Sequence, residues 1–158
     1  MKKLLILFLL VFAFSLQAQD DFIELLRQDL KTQKVAIITE TMNFTEEESN
    51  VFWPVYREYD FEASKLADER LAIIKDYAEN YEKMTDVKAK ELMDRSIKLE
   101  EKRLKLRKKF YKEFQKVLPA IKATRFIQVD NQISLLLNLQ IASELPLIEA
   151  PEGQWKLG

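Results

Sequence analysis

Apolar side chains recur every seven residues between Phe52 and Met84, in two interleaved columns. The columns are Phe52, Tyr59, Leu66 and Ile73, and Tyr56, Ala63, Arg70, Tyr77 and Met84. Alternating steps of three and four residues put both columns on one helix face, which is typical of helices packed at about 20° in bundles. Arg70 interrupts the second column, and we expect it either to extend into solvent or to pair with a carboxylate.

The start of this helix is marked by a capping box. Thr45 is followed three residues later by Glu48, so each side chain can bond the other's free backbone N–H. We predict a helix over residues 46–83. Pro54 lies inside it and removes the N–H that would bond the Asn50 carbonyl, which predicts a kink.

Three further helices are predicted over residues 21–42, 86–117 and 120–143, with Thr85 or Asp86 capping the third helix and Pro119 opening the fourth. On the fourth helix, the predicted core side contains Phe126, Val129, Ile133, Leu136 and Leu137. The opposite side contains Ile121, Leu135 and Leu139, an apolar surface left for a partner chain or a client. The fold class expected is all-α, an elongated four-helix antiparallel arrangement with a long hairpin of helices 2 and 3.

The first 18 residues have the pattern of a secretory signal peptide. Lys2 and Lys3 precede an apolar run, and Ala18 is a small residue at the expected cleavage site. The alternative is an uncleaved N-terminal anchor, although the run is short for a membrane span. We therefore expect export to the periplasm, a helical domain over residues 19–145 and an irregular tail over residues 146–158.

The amino-acid composition narrows the range of functions that this chain can have. The chain has no cysteine and no histidine, so the usual catalytic nucleophiles and bases, and the histidines of helix-bundle metal sites, are missing. Without Lys2 and Lys3 it has 23 basic and 26 acidic side chains, a net charge of −3, which does not indicate a nucleic-acid-binding protein. We expect no enzyme activity, no small-molecule substrate, no metal and no cofactor; acidic residues such as Asp60 offer at most a weak cation site.

Helix 3 has a basic stripe, defined as Arg95, Lys98, Lys102, Lys105, Lys109, Lys112 and Lys116. Its steps of three and four residues keep it on one face over about 30 Å. It is either a solvated face, partly neutralised by nearby acidic residues, or a track that attracts acidic polypeptides or anionic lipid. Arg103 and Arg107 lie in the apolar arc of the same helix, where we expect them to pair with acidic groups of helices 2 or 4 or to line a groove.

The aromatic residues of helix 2 also allow two interpretations. Phe52, Tyr56 and Tyr59 have the spacing of a core face. Trp53 lies about 100° around the helix from Phe52, so we expect it to be partly exposed. The candidate residues for binding a client or partner are Trp53, Arg103, Lys105, Lys109, Lys112, Leu135 and Leu139.

These features resemble the Spy/CpxP group of periplasmic helical proteins. That group has a helix start of the form Leu-Thr-x-x-Gln, and residues 44–48 match it with Phe for Leu and Glu for Gln. At the second such motif, residues 118–122 keep only the Leu. Three motifs follow one another in this chain, Thr45–Glu48, Phe52-Trp-Pro-x-Tyr56 and Leu118-Pro119. Their order resembles that found in secreted helical proteins of Bacteroidetes-type bacteria.

The resemblance implies a homodimer that binds unfolded or misfolded polypeptides without ATP during envelope stress. The alternative it implies is a regulatory module that acts on a membrane sensor kinase or on an anti-sigma factor system. A structural envelope protein without client binding is a third interpretation. Metal-sensing relatives in the group use histidine, which this chain lacks.

Overall fold

The computed structural model describes residues 31–148. The chain divides into two compact units, Met1–Asn43 and Phe44–Gly158. In the first unit, residues 31–42 form a helix, α1, and Asn43 follows it with a φ of 44°. Asparagine tolerates this left-handed conformation and ends helices in this way. The predicted signal peptide and the predicted first ten residues of helix 1 lie outside the described residues.

The second unit is built from helices. They are α2 (Glu46–Asn80), a short 3₁₀ turn (Tyr81–Lys83), α3 (Asp86–Val117) and α4 (Ala120–Glu144). No strand occurs between residues 31 and 148. The all-α class, with a long hairpin of α2 and α3, is therefore confirmed, and the helix boundaries agree with the predictions to within a few residues.

The predicted caps are present at two helix starts. The Thr45 Oγ1 accepts from the Glu48 backbone N–H at 3.3 Å, and the Glu48 Oε2 accepts from the Thr45 N–H at 3.0 Å. The Thr85 Oγ1 accepts from the Lys88 N–H at 3.2 Å at the start of α3. Pro54 lies within α2, as predicted; the kink there stays a prediction.

Ion pairs show that α2 and α3 run antiparallel. Lys102 Nζ lies 2.7 Å from Glu69 Oε1, and nearer the turn Arg95 Nη1 lies 2.5 Å from Asp76 Oδ2. The earlier residue of α3 is paired with the later residue of α2, which is the relation expected for antiparallel helices. The first heptad column of α2 faces α3, because Phe52 and Tyr59 pack on Phe114 and Phe110, and Ile73 packs with Leu92 and Leu99.

An aromatic core joins the three helices where α2 begins, α3 ends and α4 begins. Phe52, Phe114 and Phe126 are completely buried. Their ring centroids are 5.4 Å apart for Phe52 and Phe114, 5.0 Å for Phe52 and Phe126, and 4.5 Å for Phe114 and Phe126. Each ring comes from a different helix, so this contact fixes all three helices at once.

A buried polar contact continues from the aromatic core. The Tyr59 hydroxyl donates to Asp130 Oδ2 at 2.6 Å, and Asp130 on α4 is only 1% exposed. Burial, followed by the nearby Asp130 charge, raises the pKa of Tyr59 far above its usual value. Burial, followed by the charges of Asp60 and Asp130, does the same to the pKa of Tyr56. Both tyrosines therefore remain protonated and can donate hydrogen bonds.

Removing one ring of the aromatic core should destabilise the second unit. We expect Phe114→Ala to lower the free energy of unfolding by about 3–5 kcal/mol, because it removes buried area and leaves a cavity. The matched control is Phe61→Ala, since Phe61 is 62% exposed, and its loss should be below about 1 kcal/mol. Urea unfolding followed by circular dichroism measures both; equal losses would contradict this assignment of the core.

The raised tyrosine pKa values predict a loss of stability in alkali. A pKa raised by folding means that the unfolded chain loses its proton first, so stability is intact below about pH 10 and falls as the pH rises above it. At about pH 11, this loss is about 1.4 kcal/mol for each such tyrosine. Urea unfolding at neutral pH and at about pH 11 should show a smaller alkaline loss for Tyr56→Phe than for the wild type. An identical alkaline loss of stability in both proteins would contradict a raised pKa of Tyr56 in the folded state.

Candidate functional site

An apolar groove opens at the end of the second unit opposite the aromatic core. It has a volume of about 800 Å³ and lies between α2, α3, the end of α4 and the segment that follows α4. Its floor includes the cluster formed by Ile73, Leu92 and Leu99. Among residues 31–148, the charged residues that line it are Arg70, Glu100 and Glu101. The groove therefore offers mainly contact with apolar groups.

One wall of the groove is an exposed apolar flank of α3. Met93 is 59% exposed, Ile97 53% and Leu104 49%, and all three line the groove. Leu104 lies about 140° around the helix from Leu99, which is buried against α2. Within the described part of the second unit, no other helix packs over this flank, and its side chains remain available for binding.

Arg70, which lines the groove, and Arg103, which does not, have partners that the sequence did not predict. Arg70 Nη1 donates to Asn138 Oδ1 at 2.5 Å, so the prediction of solvent exposure or a carboxylate partner was wrong. Arg103 Nη1 lies 3.2 Å from Glu100 Oε1 on its own helix, not from an acidic group of α2 or α4. Burial, followed by the Arg103 charge, lowers the pKa of Arg70.

The segment after α4, residues 145–148, lies along one end of the groove and is called the strap here. It has no regular secondary structure. The Tyr77 hydroxyl donates to the Pro146 carbonyl at 2.6 Å, and the Tyr81 hydroxyl donates to the Leu147 carbonyl at 3.1 Å. The two tyrosine rings are 5.8 Å apart. Two successive main-chain carbonyls are therefore bound by two adjacent side chains of the α2 end.

The basic stripe is divided by its ion pairs. Arg95 and Lys102 pair with acidic residues of α2, and Lys116 pairs with Glu113. Lys98 is exposed between the first two of these, and between Lys102 and Lys116 the exposed side chains of the stripe are Lys105, Lys109 and Lys112. Within residues 31–148 these three lysines form no ion pair, and Lys109 lies 4.9 Å from the centre of the Phe110 ring. The centre of the stripe therefore keeps its positive charge available, although none of it lines the groove.

The other predicted binding residues lie outside the groove. Trp53 is half-buried, and its indole N–H donates to Ser49 Oγ at 3.0 Å, which confirms that it is partly exposed. Leu135 is 58% exposed and Leu139 69%, so the expected surplus apolar surface of α4 is present. Leu136 was predicted in the core, but it is 69% exposed, because it lies about 100° around the helix from Leu137, whose side of α4 is half-buried.

No family model, curated protein or solved structure matches this chain. Within residues 31–148, no helix is long and apolar enough to cross a membrane. In the same range, histidine, cysteine and acidic side chains form no group of three that could hold a metal.

The sequence predicted apolar residues that line the groove, but it did not predict that they form a groove there. Met93, Ile97 and Leu104 belong to the apolar arc of α3, and Tyr77 was assigned to the α2 heptads. One pattern in the sequence did indicate a second apolar surface on α3. Ile97 and Leu104 are seven residues apart, and they lie beside another pair with the same spacing, Leu92 and Leu99, which is buried. The sequence cannot show which of two parallel apolar columns remains uncovered.

Proposed function

We propose that the protein is exported to the periplasm, where it binds apolar segments of unfolded or misfolded polypeptides as an ATP-independent chaperone. The observation that carries this proposal is the apolar groove with its exposed flank of Met93, Ile97 and Leu104. Soluble monomers rarely expose a large continuous apolar surface unless it is used for interaction. The resemblance to the Spy/CpxP group supports the same function.

The groove suits a flexible polypeptide better than a small substrate. Small-molecule sites usually combine an apolar pocket with a few polar groups directed at one point. Here, the Arg70 guanidinium is bound to Asn138 and the Glu100 carboxylate to Arg103. The main remaining attraction is apolar contact, worth about 25 cal/mol for each Å² buried, and such contact discriminates little between sequences.

The mechanism requires neither nucleotide nor covalent chemistry. An unfolded client exposes apolar side chains, and the groove covers them until the client refolds or moves on. Because apolar contact is weak per side chain, binding remains reversible. The exposed Leu135 and Leu139 on α4 offer a surface for the second copy that the resemblance implies.

The decisive experiment is suppression of client aggregation. Equimolar mature protein should reduce light scattering from chemically denatured citrate synthase on dilution, and Ile97→Glu/Leu104→Glu should lose most of this effect because it places two charges in the groove. The matched control is Phe61→Glu/Val87→Glu, since these residues are 62% and 79% exposed and neither lines the groove. Unchanged aggregation with the wild type would overturn the proposal, and equal losses in both variants would remove the groove from it.

The centre of the basic stripe favours a second candidate function, a regulatory module that binds an acidic region of a membrane sensor or an anti-sigma protein. Lys105, Lys109 and Lys112 are exposed, and the structure gives them no acidic partner among residues 31–148. Like charges held in a row produce a local field even when the net charge is small. Such a field would attract an acidic partner at a surface separate from the groove.

Charge reversal separates the two candidate functions. Lys105→Glu/Lys109→Glu should weaken binding of a polyglutamate peptide by at least about tenfold at low salt, with a smaller effect at high salt because the charges are screened. Lys65→Glu/Lys90→Glu is the control with the same change in net charge, at lysines paired within their own helices. Fluorescence anisotropy measures the affinity. If both variants bind equally, the stripe has no specific role in attracting acidic chains.

A further inference from the structure

The contact between the strap and the two tyrosines uses only main-chain atoms of the strap. Tyr77 and Tyr81 are four residues apart, so they lie on the same side of the chain, and their hydroxyls reach the carbonyls of Pro146 and Leu147. Every residue of every polypeptide has such a carbonyl. The tyrosine pair can therefore bind an extended segment regardless of its side chains.

The strap itself is held by few other contacts. Leu147 is 88% exposed and contributes little apolar contact, so the apolar part of the strap's contact comes from the half-buried Leu145 and Ile148. The strap has no regular secondary structure of its own. Each neutral hydrogen bond contributes only about 1 kcal/mol net. The strap can therefore leave the tyrosines at low cost when another segment replaces it.

We propose that Tyr77 and Tyr81 form a main-chain-binding subsite at the end of the groove, that the strap occupies this subsite as an internal substitute for a client, and that an extended apolar polypeptide displaces it. This inference rests on the proposed function and adds how the groove recognises a client. Apolar side chains of the client enter beside Met93 and Ile97, and its carbonyls accept from the two tyrosines.

The strap, as an internal competitor, lowers the affinity of the groove for other segments. A tethered segment has an effective concentration in the millimolar range, so it competes with weak ligands and yields to clients that also fill the apolar groove. Short or polar segments would be rejected, because they gain hydrogen bonds without the apolar contact. The strap thus makes a sequence-independent subsite selective for unfolded chains with exposed apolar residues.

The test uses full-length mature protein and a fluorescent peptide of residues 144–151. Leu145→Asp/Ile148→Asp charges the tethered strap and disfavours its position in the groove. We expect this variant to bind the labelled peptide at least about tenfold more tightly than the wild type does, because the internal competitor is weakened. Adding Tyr77→Phe/Tyr81→Phe should then weaken binding about tenfold or more, since two hydrogen bonds are lost while the rings remain.

Tyr111→Phe, added to Leu145→Asp/Ile148→Asp in the same way, is the matched control. It also removes a hydroxyl, one that lies 3.0 Å from Thr124 Oγ1, outside the groove, and it should leave peptide binding unchanged. The inference is overturned if charging the strap does not increase binding, or if the Tyr77 and Tyr81 substitutions do not decrease it.

Competition identifies the class of occupant. Reduced and carboxymethylated lactalbumin, an unfolded polypeptide, should displace the labelled peptide, whereas laurate should not. Displacement by laurate alone would overturn the inference in favour of a lipid. If the peptide-binding and displacement experiments give none of the expected changes while the wild type still suppresses aggregation, only the proposed tyrosine subsite is rejected. If the peptide binds as expected but aggregation is unaffected, the proposed chaperone function falls instead.

Discussion

The contact of Phe52, Phe114 and Phe126 is the interaction on which the second unit depends. One ring comes from each of α2, α3 and α4, and all three are fully buried. Aromatic rings bury more area than aliphatic side chains, so this one contact positions three long helices. At the other end of the hairpin, the buried residues are aliphatic and few. The stability of the unit is therefore concentrated at one end, which leaves the other end able to keep an open groove.

Polar contacts guide α4 between these two ends. The bond from Tyr59 to Asp130 is buried next to the aromatic core. Farther along, Arg70 reaches Asn138, and Tyr77 reaches Pro146. A buried polar group is costly when it has no partner, so the buried Tyr59–Asp130 bond does most to fix where α4 lies along α2, and the two more exposed bonds add smaller contributions. These bonds do not close the space between the helices, because a hydrogen bond made by a long side chain holds two helices without close packing.

Local features of the fold were predictable from the sequence, and features that need the position of a third helix were not. The Thr45 cap and the α2 heptads depend on residues a few positions apart, and both predictions were confirmed. Leu136 was assigned to the core because it continues the apolar side of α4, but no neighbouring helix covers it. The partner of Arg70 depends on the alignment of α4 with α2, which helical periodicity does not specify.

The separation of the core from the groove bears on how such a protein can bind many clients. If binding used the residues that hold the helices together, each client would disturb the fold, and the cost would appear in its affinity. Here, the exposed side chains of Met93 and Ile97 on a flank of α3 form the wall that a client reaches first, while Leu92 and Leu99, whose edges form part of the groove floor, keep α3 packed on α2. Apolar contact can then be made and broken on one side of α3 without loss of the packing on the other. A loosely covered groove beside a rigid aromatic core is the arrangement that reversible binding requires.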